Sequence, residues 1–364
     1  MVENLIHQPF GNVLLVWDRI GDYHSARFLA LEKIVGHGKI FISDLGGADS
    51  LYKWNNPLSG HENYIPLSEK SVEKRAFWQR LFNFVSLIKK KNIKIVGLAG
   101  YGRTEYLAFL VVSKFLGVNV VLFAESWYGE NKLVNKIKSV FLKSFCDGFL
   151  VSGNRAKSHF ENNLQIDSSK IEIGYSVVDN QHFKNQMDVE KENILLCVAR
   201  FSPEKNLKKL ISAFKNSQLS QSWKLQIVGG GPLKNELEKE IGGRTNIILS
   251  DWLSYQALPL LYAHARFFIL PSSFEPWGLV VNEAMAAGLP VALSDQCGCA
   301  DDFAEPGSPF LFDASDEKSI AIVLNKISKL SPLEIKELGK KSQLKVENFS
   351  PQLWAKNFLN LAFG

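Results

Sequence analysis

Cysteine is scarce in this chain. Cys146, Cys197, Cys297 and Cys299 are the four in 364 residues, and their spacing builds no disulfide framework. Cys297 and Cys299 stand beside Asp301 and Asp302, but no second cysteine pair exists to close a zinc site, so no metal is expected. The opening MVENLIHQPF has no basic stretch followed by an apolar run, which argues against a secretory leader. Long apolar runs are missing too: the most apolar window, residues 107–124, is broken by Lys114, Gly117 and Asn119 and reads as helix, turn and strand, not as a membrane span. These absences point to a cytoplasmic protein. No RNA-binding signature or basic-aromatic stripe directs it to nucleic acid. The G-x-G-x-x-G dinucleotide fingerprint is absent as well; the loop after the first strand carries Gly21 alone.

The composition that remains, 46% hydrophobic and 22% charged, is that of a soluble protein long enough for two cores. The formal charge of +5 is unevenly placed: residues 1–178 hold 22 Lys and Arg against 16 Asp and Glu, and the remainder 20 against 21. Such a bias either draws a domain to anionic surfaces or is only a solvated face.

Unalternating apolar runs predict strands over residues 13–17, 39–43, 93–98, 118–123, 148–152 and 170–173, with helices between them over 71–90, 104–116, 131–145 and 154–162. The stretch 44–66, with Gly46-Gly47, Trp54 and Asn55-Asn56-Pro57, reads as a loop-rich rim. The helix over 131–145 carries Leu133, Val134, Ile137, Val140 and Phe141 on one face and Lys132, Lys136, Lys138 and Lys143 elsewhere. That pattern predicts a core-packed helix with solvated lysines, or alternatively a face that touches a membrane. Residues 174–193 turn polar and aperiodic, as a linker should, and a second series of strands follows at 194–199, 225–228, 246–249, 267–270 and 291–293. Alternation on both sides of a linker predicts an α/β chain with two doubly wound domains, 1–178 and 179–346, followed by a last helical segment, 347–364.

The densest signals lie in residues 267–298, FFILPSSFEPWGLVVNEAMAAGLPVALSDQCG. A buried strand ends at Pro271, a loop runs from Ser272 to Trp277, and Gly278 opens an apolar helix that Gly288 closes before the next strand. Ligands in open parallel sheets lie at the carboxyl ends of strands, where this loop falls. Glu275 stands in the loop and Glu283 inside the helix. A carboxylate in an apolar helix needs hydrogen-bond donors. The hydroxyl pair of a ribose would serve, and so would a core Arg or Lys. The amides of Gly278, Leu279 and Val280, at the positive end of the helix, suit a phosphate.

Two motifs flank this unit. In ARFSPEKNLKKLISAF, Arg200 and Lys205 sit in a loop and at a helix start, where two cations suit a diphosphate. In IVGGGPLKNELEKE, Gly230 and Gly231 allow a backbone to approach a ligand closely. Near the start of the chain, Arg19, Tyr23, His24 and Arg27 cluster where the first strand meets its helix, a place to bind an acceptor or merely a polar helix start.

The stretch PSSFEPWGLVVNEAMAAGLPV resembles the signature of the retaining nucleotide-sugar glycosyltransferases of family 4, which have the two-domain GT-B fold. The resemblance covers the second domain closely and the first by topology. It implies two Rossmann-like domains facing each other across a cleft, with the last helix crossing back to the first. It also implies Glu283 as a ribose ligand, and Glu275 with Ser272, Pro276, Trp277 and the amides around Gly278 as ligands of the donor sugar and diphosphate. Trp277 replaces the commoner Phe, which bears on donor identity. Trp252 and Leu253 fall where relatives hold the nucleotide base. Arg19, Tyr23, His24 and Arg27 fall where relatives often contact the acceptor. Many relatives carry a His after the fourth strand; here Glu125 and Ser126 stand in that place.

The implied reaction is metal-independent transfer of a sugar from a nucleotide donor, UDP-sugar slightly favoured over GDP-sugar, to a saccharide or lipid-linked acceptor, with no further cofactor. Peripheral contact of the basic first domain with the inner face of a membrane is an accompanying expectation. The alternatives are an oxidoreductase with tandem Rossmann domains, disfavoured by the missing fingerprint, and a silent sugar-nucleotide binder.

Overall fold

A computed structural model describes residues 11–46, 56–72, 76–129, 131–184, 189–305 and 307–363. The opening ten residues, Gly47, Trp54 and Asn55 of the expected rim, positions 73–75 of the expected second helix and positions 185–188 of the expected linker lie outside the described residues. The chain divides into two compact units, Met1–Val177 with Pro351–Gly364, and Val178–Ser350.

In the first unit β1 (Asn12–Trp17), β2 (Ile40–Asp44), β3 (Ile93–Ala99), β4 (Asn119–Ala124), β5 (Gly148–Val151) and β6 (Ile171–Ile173) form a parallel sheet in the order β2-β1-β3-β4-β5-β6. The helices between are α1 (Asp22–Val35), α2 (Phe77–Lys90), α3 (Thr104–Phe115), α4 (Lys132–Phe145) and the short α5 (Asn154–Ser158). The strands lack alternation because helices cover both faces. The order reverses at β1, so right-handed crossovers place α1 on one face and α2, α3 and α4 on the other. Accordingly α2 packs on α3 and α3 on α4, while the C-terminal helix Pro351–Phe363 packs on α1 and along β4 to β6. Trp17 stacks on Phe123 at 5.6 Å, Phe123 meets Trp354 at 5.6 Å, and Trp354 stacks on Phe358 at 5.5 Å. This column of rings anchors the last helix to the sheet of the first unit.

Two expectations are corrected here. The helix expected from residue 71 begins at Phe77, because the buried Arg80 takes the Ser71 carbonyl at 2.9 Å and the Leu45 carbonyl at 2.7 Å. Those bonds hold residues 71–72 outside the helix. Of the face of α4 expected in the core, Phe141 packs there, but the rest is turned outward: Leu133 is 68% exposed, Ile137 64% and Val140 62%. Its buried residues are Asn135, Ser139 and Leu142. Asn135 donates to the Gly129 carbonyl at 2.7 Å and Ser139 donates to the Leu164 carbonyl, so the polar side is used to fasten two loops.

In the second unit β7 (Ile194–Val198), β8 (Lys224–Val228), β9 (Ile247–Ser250), β10 (Phe267–Leu270), β11 (Val291–Ser294) and β12 (Leu311–Phe312) form a parallel sheet in the order β12-β11-β10-β7-β8-β9. Its helices are α6 (Asn180–Phe183), α7 (Leu207–Lys215), α8 (Lys234–Ile241), α9 (Leu258–His264), α10 (Leu279–Ala286), α11 (Ala300–Phe303), α12 (Glu317–Ile327) and α13 (Pro332–Val346). The order runs outward through β8 and β9 from β7, and the other way through β11 and β12 from β10. The adjacent pair β7 and β10, in register at Leu195 with Phe267, is therefore the switch point where a parallel sheet offers a crevice.

Candidate active site

The switch point brings together two loops separated by about seventy residues of sequence. The loop after β7 supplies Arg200 and Lys205, and the loop after β10 supplies residues 271–278. Lys205 Nζ pairs with Glu275 Oε2, and both side chains are largely buried, 17% and 12% exposed. The Ser272 hydroxyl, wholly buried, lies 3.3 Å from the same oxygen. Main-chain bonds hold both loops in place. Ser273 N–H donates to the Glu204 carbonyl at 2.8 Å, Glu275 N–H to Gln296 at 3.1 Å, and Gly298 N–H to Glu275 at 2.9 Å. Arg200 is exposed beside them.

Gly278 has φ 103°, a left-handed turn that starts α10 directly. A Cβ there would lie 3.0 Å from Leu270 Cδ2 and 3.4 Å from Glu275 Cγ, so space as well as backbone angle calls for glycine. Among the described residues no side chain caps α10. Its first-turn amides, at Leu279 and Val280, carry the positive end of the helix toward the Lys205–Glu275 pair's loop, and Pro276 is half-buried in that loop.

Three of the expected donor ligands have partners within the unit. Glu283 is fully buried and accepts from the Tyr262 hydroxyl at 2.5 Å, which answers the need of a carboxylate in an apolar helix with a partner the sequence reading missed. Trp277 is 1% exposed, donates from Nε1 to Asn282 Oδ1 at 2.8 Å, and packs on Phe303 and Phe349. The indole of Trp277 is thus packed inside the unit. Gly231, at φ 149°, abuts the main chain of Phe201, so that part of the glycine run serves contact between the β7 and β8 loops. Gly230 instead faces Trp252: a Cβ would meet the indole Nε1 at 2.7 Å. Trp252 and Leu253 are 54% and 42% exposed, an open apolar shelf beside the glycines.

In the first unit, Glu125 at the end of β4 accepts from the Ser176 hydroxyl at 2.5 Å. Arg27 is not solvent-facing. It is 2% exposed, lies over the Tyr175 ring at 4.6 Å and donates to the Val177 carbonyl at 3.3 Å, with its charge near Glu125. Its place is beneath the strand ends, where it positions Tyr175 and Glu125. His24 accepts from Gly21 N–H at 3.1 Å and stacks obliquely on Trp17; burial, then the charge of Arg27, holds its imidazole well below the usual value. Arg19 and Tyr23 are half-buried on the same strand-to-helix segment. At the end of β2, Asp44 accepts from the Tyr64 hydroxyl at 3.1 Å, and burial raises its carboxyl to about 6. Sequence reasoning missed Ser176, Tyr175 and Tyr262. The signal for Tyr262 was a lone hydroxyl inside an apolar helix, which must find an acceptor when buried. Among the described residues, the one grouping of three metal-capable side chains is Glu32, His37 and His61, not Asp301 or Asp302.

Two parallel six-stranded units with a crevice at a switch point define the GT-B fold class. Residues 178–343, most of the second unit, match the family described as glycosyl transferases group 1. A 2-deoxystreptamine N-acetyl-D-glucosaminyltransferase of Niallia circulans is 26% identical over 244 residues, 62% of this chain and 62% of that protein. The chain spans less than two thirds of the curated relatives it first matches, 35%, 62% and 49% of their lengths. The structure resembles a glycosyltransferase of Rickettsia africae, with TM-score 0.77, 17% identity and 98% of both chains covered. It also resembles Anabaena HepE, solved with UDP and glucose, with TM-score 0.73, 15% identity, and 95% of this chain and 98% of that one covered.

Proposed function

We propose that the chain is a retaining glycosyltransferase of family 4, moving a sugar from a nucleotide-diphosphate donor to a saccharide or lipid-linked acceptor in polysaccharide or glycoconjugate biosynthesis. The observation that carries this reading is the Lys205–Glu275–Ser272 constellation at the switch point, ahead of the uncapped start of α10. The group 1 match and the UDP-bound likeness of HepE support it.

In this reading the diphosphate lies against the first-turn amides of α10, with Arg200 and Lys205 stabilising the negative charge that grows as the sugar departs. Glu275 receives hydroxyls of the donor sugar and also holds Lys205 at the edge of the diphosphate. Trp252 and Leu253 offer a surface for the base next to Gly230, and Glu283 serves the ribose once its carboxylate is reached past Tyr262. Arg19, Tyr23 and His24 contribute to the acceptor side, and Glu125 stands at the strand end below it. The bond from anomeric carbon to phosphate oxygen breaks, the acceptor oxygen bonds to that carbon on the same face, and the departing phosphate takes the acceptor proton. Charge stabilisation by cations and helix amides requires no metal in this scheme. UDP is the favoured nucleotide over GDP.

A thermal-shift screen against UDP, GDP, ADP and their sugars is the first test, followed by nucleotide release with candidate acceptors in excess EDTA. Retention is read from the anomeric configuration of the product. Absence of any nucleotide-dependent shift, or a product of inverted configuration, overturns the respective part of the proposal.

A further inference from the structure

The outer face of α2, α3 and α4 belongs to no part of the site described above, yet among the described residues most of the large apolar side chains exposed in the first unit stand on it. Trp78 and Phe82 on α2 are 78% and 73% exposed, Phe115 at the end of α3 is 83%, and on α4 Leu133, Ile137 and Val140 are each more than 60% exposed. An amphipathic helix ordinarily turns such residues inward. In α4 the inward side carries Leu142 beside Asn135 and Ser139, which hydrogen-bond to main chain, so Leu133, Ile137 and Val140 are held outward by the packing. An exposed apolar area spread over three adjacent helices marks a surface that something else covers.

Charge identifies the cover. Lys132, Lys136 and Lys143 are exposed among the apolar residues of α4, and Lys89 and Lys90 are exposed at the end of α2. Across α2, α3 and α4 the sequence contains a single acidic residue, Glu105, which is buried against Arg80 at 2.7 Å. A second copy laid on the same face would bring lysine against lysine, which opposes self-association. Exposed Trp, Phe and aliphatic side chains interleaved with lysines that outnumber the neighbouring acid, the half-buried Asp147 paired with Lys114 of α3 at 3.3 Å, match the chemistry of an anionic lipid interface, where the ring and alkyl groups enter the headgroup boundary and the ammonium groups meet phosphate.

We infer that this three-helix face seats the protein on an anionic lipid bilayer, with Leu133, Ile137 and Val140 inserted and Lys132, Lys136 and Lys143 against the headgroups. Trp78 and Leu133 lie in the first turns of α2 and α4, at the end of the unit where the strands' carboxyl ends and Glu125 lie. Seated this way, the first unit presents its proposed acceptor side near the bilayer. That assignment of purpose rests on the glycosyltransferase reading and narrows the acceptor to a lipid-borne one; the contact itself does not depend on turnover. Lys138 is excluded from the surface, because it is half-buried with its ammonium over the Tyr101 ring at 5.7 Å.

The test is co-sedimentation of the full chain with phosphatidylcholine vesicles, with and without about a third phosphatidylglycerol, at low and raised salt. Binding is expected with anionic vesicles and to weaken as salt rises. Ile137→Ser with Val140→Ser, and separately Lys132→Glu with Lys136→Glu and Lys143→Glu, are each expected to lower the partition coefficient about tenfold or more. Both sets are exposed, so the melting temperature should stay put, and a Leu344→Ser control in the second unit should bind as the parent does. Failure of the parent to sediment with anionic vesicles at low salt overturns the inference, as does sedimentation indifferent to the α4 substitutions. Lipid-free self-association that the Ile137 and Val140 substitutions abolish would also overturn it, assigning the face to a second copy. Donor hydrolysis measured without vesicles reports the proposed activity separately. A chain that sediments as expected but hydrolyses no donor refutes that activity and leaves the surface standing.

Discussion

Replacing Lys205 by Met removes the ammonium while keeping most of the stem, and its consequences separate into a stability term and a catalytic term. The partner, Glu275, is 12% exposed in its side chain and would retain the Ser272 hydroxyl at 3.3 Å while losing the Lys205 ammonium. Stripping one partner from a fully buried pair costs about 3–5 kcal/mol, and from an exposed pair about 0–1 kcal/mol. With both side chains mostly but not wholly buried, about 2–3 kcal/mol is expected, or about 5–10 °C in the melting temperature of a unit this size. Glu275→Gln in the Lys205→Met background should cost less than it does in the parent, with a coupling of about 1–2 kcal/mol. If Lys205 also meets the departing diphosphate, kcat/KM falls a further hundredfold or more, about 2.7–4 kcal/mol. The assay is a double-mutant cycle in urea, with nucleotide-release kinetics measured well below the lowest melting temperature. Additive stabilities would refute the coupled pair. Activity within about threefold of the parent would refute the diphosphate role, whatever the stabilities show.

Trp277→Phe should lower stability by about 1–2 kcal/mol, because it removes the indole donor from buried Asn282, and should leave nucleotide affinity unchanged; a large affinity loss would return the side chain to the donor site. Glu283→Gln should weaken nucleotide binding about tenfold in titration calorimetry if its carboxylate reaches ribose hydroxyls, whereas unchanged affinity with a lowered melting temperature would leave it solely as the partner of Tyr262. Asp44 supplies a pH dependence. Burial raises its carboxyl from 3.8 to about 6, so the folded state holds the proton more tightly than the unfolded chain. Its contribution is fully present below about pH 4 and is lost as pH rises toward and through about 6, amounting to about 3 kcal/mol at 1.36 kcal/mol per pKa unit. Asp44→Asn should flatten the stability profile across that window; an unchanged slope would refute the assignment.

Much of the architecture is readable from local pattern. Runs such as Val13 to Trp17 and Phe267 to Leu270 have no alternation because helices cover both faces of a parallel sheet, and that composition is visible without coordinates. That Gly278 opens a helix is equally legible, whereas the crowding of that start by Leu270 and Glu275 is not. The loop holding Glu275 could be placed at a strand's carboxyl end from its order in the chain alone. What only the tertiary structure decided are the matters that depend on which strands are neighbours and which helix side meets the sheet. The pairing of β7 with β10, distant in sequence, is what brings Lys205 to Glu275. Glu283 found Tyr262, and Trp277 found Asn282, through packing of α9 and α10 that no spacing within one segment reveals. The reversal of α4 shows the limit most plainly. Its period of apolar residues was legible, but periodicity says only that a helix has two unlike faces, and it was the loop carbonyls of Gly129 and Leu164 that drew the polar face inward.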